Sequence, residues 1–278
     1  MPSEFDAWVG KSQTQTGCLS ADRAAMLHAT LEAGESSPPV VGDIAPYLWH
    51  WSAFAPTSPM SALAADGHEH RGGFLPPVPH PRRMWAGGAL DFHAPVIVGR
   101  DLRQTSTIAK IERKSSSMVF VTVEHEIFDR DTHLISERHD IVYLDVPPSY
   151  SPPAPRPVPD APVFVQDEEM PITRLFRYSA ATFNAHRIHY DLSFARDVEG
   201  YPGLLVHGPL QATLMLREAI THTRRTPKSL SYRGVHPMFH DDALQVMGYD
   251  ETPVMLSVCT VKPGAYQGMI GTVTWADQ

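Results

Sequence analysis

Polar and apolar residues alternate along three stretches in the first half of the chain, which is the pattern of β-strands with one buried face. These stretches run from Leu102 to Arg113, from Ser117 to Phe128 and from Leu134 to Val146. The second is the clearest, because Val119, Val121 and Val123 fall on one face. The polar gap Asp129–His133 is short enough for a turn, so the last two strands are predicted to form an antiparallel hairpin.

Four further strands are predicted after residue 225, interrupted by short polar segments. They span Leu230 to Val235, Ala243 to Tyr249, Val254 to Lys262 and Gly268 to Trp275. Before them, a helix is predicted from Pro209 to Thr221, since proline suits the first helical position. Its apolar residues cover most of the circumference, which predicts a helix wrapped by other structure. Ile172 to Tyr178 and the polar region that follows it are expected to be extended.

Two helices are predicted near the start of the chain. The first runs from Ser20 to Ala33, with Ser20 as its N-cap and Gly34 as its stop. The second is a buried, tryptophan-rich helix from Ile44 to Phe54, followed by a loop from Pro56 to Arg83. Each half of the chain therefore has a helix followed by long antiparallel strands, which predicts two α+β units of similar design.

Residues 147–162 are dense in proline and cannot form a helix or a central strand. Such a segment is expected to be an extended connector of polyproline character. It divides the chain into a predicted N-terminal domain, 1–146, and a predicted C-terminal domain, 163–278. A length of 278 residues also favours two domains.

Composition excludes several classes of protein. The formal net charge of −8 argues against a nucleic-acid binder, which would carry a basic face. No apolar run is long enough for a membrane span, and the first residues lack the basic start and apolar core of a secretion signal. Cys18 and Cys259 form no redox or metal motif. A cytoplasmic protein without nucleic-acid or membrane partners is expected.

The richest chemistry lies between residues 177 and 209, where Asn184, His186, His189 and His207 precede Gly208. A neutral histidine can take or give a proton near pH 7. The free N–H groups at the start of the predicted helix carry partial positive charge, and they can stabilise an oxygen anion. For His186 and His207 a purely structural role fits the sequence as well, and Gly208 can equally be a plain helix cap.

The segment Thr182–Asp191 resembles the Asp-x-Asn-Pro-x-His signature of MaoC-like hydratases and dehydratases, and Arg82–Gly88 resembles the same family. In its extended form the segment is similar to the branch that contains mesaconyl-C4-CoA and itaconyl-CoA hydratases. His189 matches the final histidine of the signature, whereas Asn184 stands at the aspartate position. The resemblance implies a double hot-dog fold, in which two antiparallel sheets each wrap a central helix, and a catalytic C-terminal domain beside a non-catalytic N-terminal one.

The resemblance also implies a hydro-lyase that adds water to an enoyl-CoA without a cofactor, acting as a homodimer. His189 would be the base and acid, Asn184 would orient water through its carbonyl oxygen, and Gly208 would donate to the thioester oxygen. Arginine grips phosphates and carboxylates with paired donors. The residues predicted to bind substrate are Arg177, His186, Arg187, His207 and Arg233.

Three functions stay open at this point. The first is hydration of a branched C5 dicarboxylyl-CoA, either itaconyl-CoA or mesaconyl-C4-CoA, to citramalyl-CoA. The second is a 3-hydroxyacyl-thioester dehydratase of fatty-acid metabolism, and the third is a non-catalytic acyl-CoA-binding module, which the asparagine at 184 favours. Histidine pairs such as His186-x-x-His189 and His68-x-His70 have spacings that can seat zinc. Since no thiolate lies nearby, no metal is expected.

Overall fold

Ten strands form one antiparallel sheet in the computed structural model, which describes residues 5–31 and 37–276. The strands are β1 (Ser12–Cys18), β2 (Arg82–Phe92), β3 (Asp101–Ser115), β4 (Met118–Asp129), β5 (Thr132–Leu144), β6 (Phe164–Glu168), β7 (Pro227–Gly234), β8 (Leu244–Tyr249), β9 (Met255–Lys262) and β10 (Tyr266–Trp275). Their order is β1-β3-β4-β5-β2-β7-β10-β9-β8-β6. The first five strands of the chain therefore make one half of the sheet, and the last five make the other.

The two halves of the sheet join edge to edge where β2 pairs with β7. Gly88 lies opposite Tyr232 in this pairing, and Gly87 lies opposite Arg233. A methyl group at Gly87 would press against the carbonyl oxygen of Tyr232, so glycine permits the close approach of the two strands. This junction brings residues of both halves to one place in the molecule.

The helices are α1 (Ala21–Leu31), α2 (Ile172–Thr182) and α3 (Gly208–Thr223). Short 3₁₀ turns cover Asp6–Trp8, Trp49–Ser52, Met60–Ala62 and Arg187–His189, and a π-helical turn covers Phe194–Val198. Helix α3 contacts the strands β7, β8, β9 and β10, and also β2. Leu210, Leu214 and Met215 are completely buried in it. The prediction of a helix wrapped by other structure is confirmed.

One hydrophobic core extends through both halves. Leu27 of α1, Leu90 of β2 and Leu175 of α2 belong to the same buried cluster as Leu214 of α3. Burying each such leucine contributes about 2 kcal/mol, so this shared core resists separation of the halves. Ser20 is the N-cap of α1, because its Oγ accepts a hydrogen bond from the backbone N–H of Arg23 at 3.2 Å. The predicted helix end at Ala33 and Gly34 lies outside the described residues.

Two predicted elements are wrong. The expected helix from Ile44 to Phe54 is only the 3₁₀ turn Trp49–Ser52, since Leu48 has a left-handed φ of 69° that interrupts any helix. The expected extended stretch from Ile172 is helix α2, which buries Leu175, Tyr178, Ser179 and Ala181 on one side. The polar region after it forms turns rather than a strand.

The proline-rich segment 147–162 contains no helix or strand, as predicted, but it is attached to the sheet. The backbone N–H of Gln267 donates to the carbonyl oxygen of Arg156 at 3.0 Å, and Gln267 Nε2 donates to that of Pro157. The segment is therefore a strap along β10. Among the described helices, none has the length and the hydropathy to cross a membrane.

Candidate active site

A cavity of about 570 Å³ lies at the start of α3, between the two halves of the sheet. Both halves line it: the first supplies the loop His68–His70 and Arg83–Trp85 of β2, and the second supplies Asn184, His186, His189, Gly208 and Met269. Four predicted site residues, Asn184, His186, His189 and Gly208, are thus brought together.

His189 is held in one tautomer. Its Nδ1 lies 2.9 Å from the carbonyl oxygen of Leu205, and a carbonyl can only accept, so Nδ1 carries the proton. The other ring nitrogen, Nε2, is left with a lone pair. Burial lowers the pKa of His189 to about 4, so the ring is neutral at pH 7. A neutral imidazole with a free lone pair on a cavity wall can act as a general base.

His207, predicted to contact the substrate, lies outside the cavity lining. Its ring is completely buried and stacks on that of His189, with the ring centroids 3.7 Å apart. Ser179 Oγ lies 2.8 Å from His207 Nε2 and fixes the ring from behind. The role that this geometry gives His207 is to hold the plane of the His189 ring.

Asn184 reaches the cavity from the end of α2. The helix ends at Thr182 and is followed by Phe183, whose φ is 53°. The N–H of Asn184 then donates to the carbonyl oxygen of Ser179 at 2.8 Å. Its Oδ1 accepts the backbone N–H of His186 at 3.0 Å. The Nδ2 group has no hydrogen-bond partner within the described part of the chain. Asn184 therefore offers a ligand or water an N–H donor, and its carbonyl oxygen keeps one further lone pair beside the bond to His186.

Gly208 is the first residue of α3 and Pro209 is the second, and no side chain caps this helix end. The N–H groups of the first turn are consequently available to a ligand in the cavity, and they carry the positive end of the helix dipole. A methyl group added at Gly208 would lie 3.6 Å from Met269 Cε, which is an ordinary contact distance. The space beside Gly208 is open to a bound group.

A second histidine, His68, comes to the cavity from the first half of the chain. Its Nδ1 lies 2.8 Å from Asp66 Oδ2, and its ring centroid is 4.1 Å from that of His186. Burial lowers the pKa of His68 and of His186. Within the described residues, one group of side chains could hold a metal ion, formed by Asp66, His68 and His186. Their possible ligand atoms all lie within 4.8 Å of one another. Hydrogen bonds from the ring and backbone N–H groups of His68 already occupy Asp66.

This loop is fastened to the histidine motif. The N–H of Arg187 donates to the carbonyl oxygen of Asp66 at 3.0 Å, and its Nη1 donates to that of Ala65 at 2.9 Å. Gly67 has a φ of 91°, and a methyl group there would overlap the carbonyl oxygen of Ala185. Only glycine fits such a contact, so the loop and the motif keep a fixed relation.

The three predicted substrate-binding arginines lie outside the cavity lining. Arg187 is paired with Asp191 at 2.7 Å and stacks over the ring of Phe194. Arg177 is exposed on α2 and donates to the carbonyl oxygen of Ala29. Arg233 is exposed on β7. The arginine that does line the cavity is Arg83. Sequence reasoning missed it, because the strand β2 itself was not predicted.

The chain is similar to known proteins over most of its length. The family described as hydroxyacyl-thioester dehydratase type 2 matches residues 48–240. The mesaconyl-C(4)-CoA hydratase of Chloroflexus aurantiacus is 42% identical over 243 residues, which are 85% of this chain and 86% of that protein. The chain belongs to the hydroxyacyl-thioester dehydratase type 2 family. Members of this family are hydratases and dehydratases, so the protein is a hydro-lyase.

Solved structures show the fold of this family member. A MaoC-like dehydratase from Phytophthora capsici superposes with a TM-score of 0.73 at 14% identity, over 97% of this chain and 96% of that one. A Mycobacterium tuberculosis protein described as a double hotdog fold superposes with a TM-score of 0.56 at 14% identity, over 96% of each chain. The predicted double hot-dog, α+β fold is confirmed.

Proposed function

We propose that the protein hydrates a branched C5 dicarboxylyl-CoA, itaconyl-CoA or mesaconyl-C4-CoA, to citramalyl-CoA. The observation that carries the proposal is the position of His189. Its ring lines the same cavity as the uncapped start of α3, and its Nε2 is free to accept a proton. The name of the Chloroflexus relative supports the substrate.

The reaction needs one base and one oxyanion donor. In mesaconyl-C4-CoA, whose double bond is conjugated with the thioester, water attacks the β-carbon while His189 Nε2 takes a proton from that water. The electrons of the double bond move through the α-carbon to the thioester oxygen. The N–H of Gly208 stabilises the negative charge on this oxygen. The α-carbon then takes the proton back from His189, so the sum is the addition of one water. Asn184 Nδ2 can donate to the attacking water and hold it in place.

A 3-hydroxyacyl-thioester dehydratase acting on longer acyl chains is the second candidate. A second cavity of about 370 Å³ shares Trp85, His139 and Asn184 with the first and continues along Trp51 and Phe54. Its apolar walls would suit an alkyl chain. The third candidate, a non-catalytic acyl-CoA-binding module, draws its support from the asparagine at 184.

The deciding experiment incubates the protein with mesaconyl-C4-CoA, itaconyl-CoA and crotonyl-CoA, and follows the gain of one water by mass spectrometry. His189→Ala is expected to abolish the gain. His222→Ala is the matched control, since His222 is exposed and does not line the cavity. Hydration of crotonyl-CoA alone would favour the fatty-acyl dehydratase. Binding of all three esters with no turnover would favour the binding module.

We propose that the reaction needs no cofactor, because the thioester itself acidifies the α-proton. Activity is expected to survive dialysis against a metal chelator. Loss of activity that returns with a divalent cation would contradict this and would assign the cluster of Asp66, His68 and His186 to a metal.

We also propose that the enzyme works in the cytoplasm as a homodimer. Cys18 and Cys259 are free thiols, which suits a reducing compartment. Strand β1 lies at one end of the sheet, and among the described residues no strand pairs with its outer edge. Light scattering on the purified protein tests the dimer, and fractionation of cells that produce the protein tests the compartment.

A further inference from the structure

We propose that Arg83 binds the free carboxylate of the acyl group and so selects dicarboxylyl-CoA esters over neutral ones. This inference rests on the proposed function, and it assigns a residue to substrate selection.

Arg83 stands on the wall of the main cavity. It belongs to β2, where it pairs with Tyr143 of β5, and its neighbours Met84 and Trp85 line the same cavity. The side chain is half-buried. It lies close enough to His68 and His186 to lower the pKa of both rings. Its charge therefore acts on the space in front of the histidine cluster.

Among the described residues no acidic side chain forms an ion pair with Arg83. The polar group beside its guanidinium is the hydroxyl of Tyr143, which hydrogen-bonds to it and is neutral, because burial raises the pKa of Tyr143. Two other arginines of the same part of the chain have charged or carbonyl partners. Arg82 forms a buried ion pair with Glu199 at 2.8 Å, and Arg71 donates to the carbonyl oxygens of Val78, His80 and Pro81. A half-buried cation whose hydrogen-bond partner is a neutral hydroxyl still lacks an anionic partner, so the site favours an anion from outside.

The surroundings leave this charge uncompensated. The carboxylate that lines the cavity, within the described residues, is that of Glu69. It is exposed and accepts a hydrogen bond from Ser58 Oγ at 2.5 Å. The imidazoles of half-buried His68 and buried His189 are neutral, because loss of contact with water lowers the pKa of both rings. Arg83 is thus the fixed positive charge of the cavity lining.

A guanidinium binds a carboxylate through two parallel hydrogen bonds, which fix position as well as affinity. In mesaconyl-C4-CoA the free carboxylate is attached to the β-carbon, the atom that water attacks. An anchor at Arg83 would therefore also orient this carbon toward His189. A phosphate of CoA has similar hydrogen-bonding chemistry, and substrates with and without the acyl carboxylate distinguish the two anions.

The test compares kcat/KM for mesaconyl-C4-CoA and crotonyl-CoA in the wild type, Arg83→Gln and Arg83→Lys. We expect Arg83→Gln to lower the value for mesaconyl-C4-CoA about 100-fold and to leave that for crotonyl-CoA within about threefold. Arg83→Lys should fall between. Arg177→Gln is the matched control, because Arg177 is exposed outside the cavity. Equal losses with both esters would assign Arg83 to a CoA phosphate and overturn the proposal, as would no loss.

A binding measurement on the wild type keeps the proposal testable if the variants fail to fold. Methylsuccinyl-CoA carries the carboxylate and butyryl-CoA does not, and neither has a double bond to hydrate. We expect methylsuccinyl-CoA to bind at least about tenfold more tightly. Equal affinities would overturn the role of Arg83. A wild type that hydrates no ester would instead refute the proposed function, while this comparison would still report on Arg83.

Discussion

At the scale of single residues, the protonation of His189 decides what the site can do. The Leu205 carbonyl fixes the proton on Nδ1, and burial keeps the ring neutral. The ring of His207 behind it leaves little freedom to tilt. A base with a low pKa is weak, but it is present in its active, unprotonated form over a wide pH range.

The pH dependence of the rate follows from this. Since the pKa of His189 is about 4, kcat/KM for hydration should stay nearly constant from pH 8 to pH 5 and fall as the pH drops through about 4. A histidine with an ordinary pKa near 6.5 would keep only about 3% of its activity at pH 5. Short initial-rate assays with crotonyl-CoA or mesaconyl-C4-CoA between pH 4 and 8 distinguish the two profiles.

The loop that carries His68 depends on Gly67 for its position beside the histidine motif. Gly67→Ala should lower kcat/KM at least about tenfold, because the added methyl would push the loop off the carbonyl of Ala185 and displace the site. Gly72→Ala is a matched control, since Gly72 has nearly the same φ, 92°, but more room, with Pro77 Cβ at 3.8 Å. If both variants lose activity equally, backbone strain rather than contact with the motif is the cause.

The buried ion pair of Arg82 and Glu199 links β2 to the segment after the π-helical turn. Arg82→Ala leaves the Glu199 carboxylate buried without its partner, and should lower the free energy of unfolding by about 3 to 5 kcal/mol. Arg100→Ala breaks an exposed pair with Asp129 and should cost less than about 1 kcal/mol. Denaturant unfolding of both variants measures the difference, and equal losses would show that burial of the pair is unimportant.

The sequence predicted the elements whose side chains alternate, and missed those whose order depends on partners. Strands β3, β4 and β5 were found from their buried valines and isoleucines, whereas β1 is a run of polar residues that only its pairing with β3 makes a strand. Helix α2 was mistaken for an extended stretch, since its buried face becomes evident only once α1 packs against it.

The same distinction applies to the site. Asn184, His189 and Gly208 were predicted because they are close in sequence. Arg83 was missed, and His68 was noted only for its spacing from His70, because strand pairing and loop contacts bring both in from far along the chain. The hydrogen bond that occupies Asn184 Oδ1 is equally a product of local folding.

At the scale of the whole molecule, several buried histidines make folding sensitive to acid. Burial lowers the pKa of His189, His186, His207 and His125. The unfolded chain, with an ordinary histidine pKa near 6.5, binds protons before the folded one does. Stability is therefore lost as the pH falls from about 6.5 toward the lowered values.

Protonation of His189 in the unfolded chain should by itself lower the free energy of unfolding by about 2 kcal/mol between pH 7 and pH 5. Denaturant titrations at the two pH values give the total, which is expected to be larger because the other buried histidines add to it. His189→Gln should make the loss smaller by about that amount. A variant with the same loss as the wild type would show that His189 has no lowered pKa.

The cavity walls have separate origins in the chain: residues 184–208 bring the imidazole and the helix start, whereas residues 68–85 bring the loop and Arg83. In an evolving family, changes to the second group can alter which acyl ester is accepted while the proton-transferring group stays intact. Relatives with different substrates are then expected to diverge most along β2 and the loop before it. Laboratory selection for a new substrate has its best starting point there.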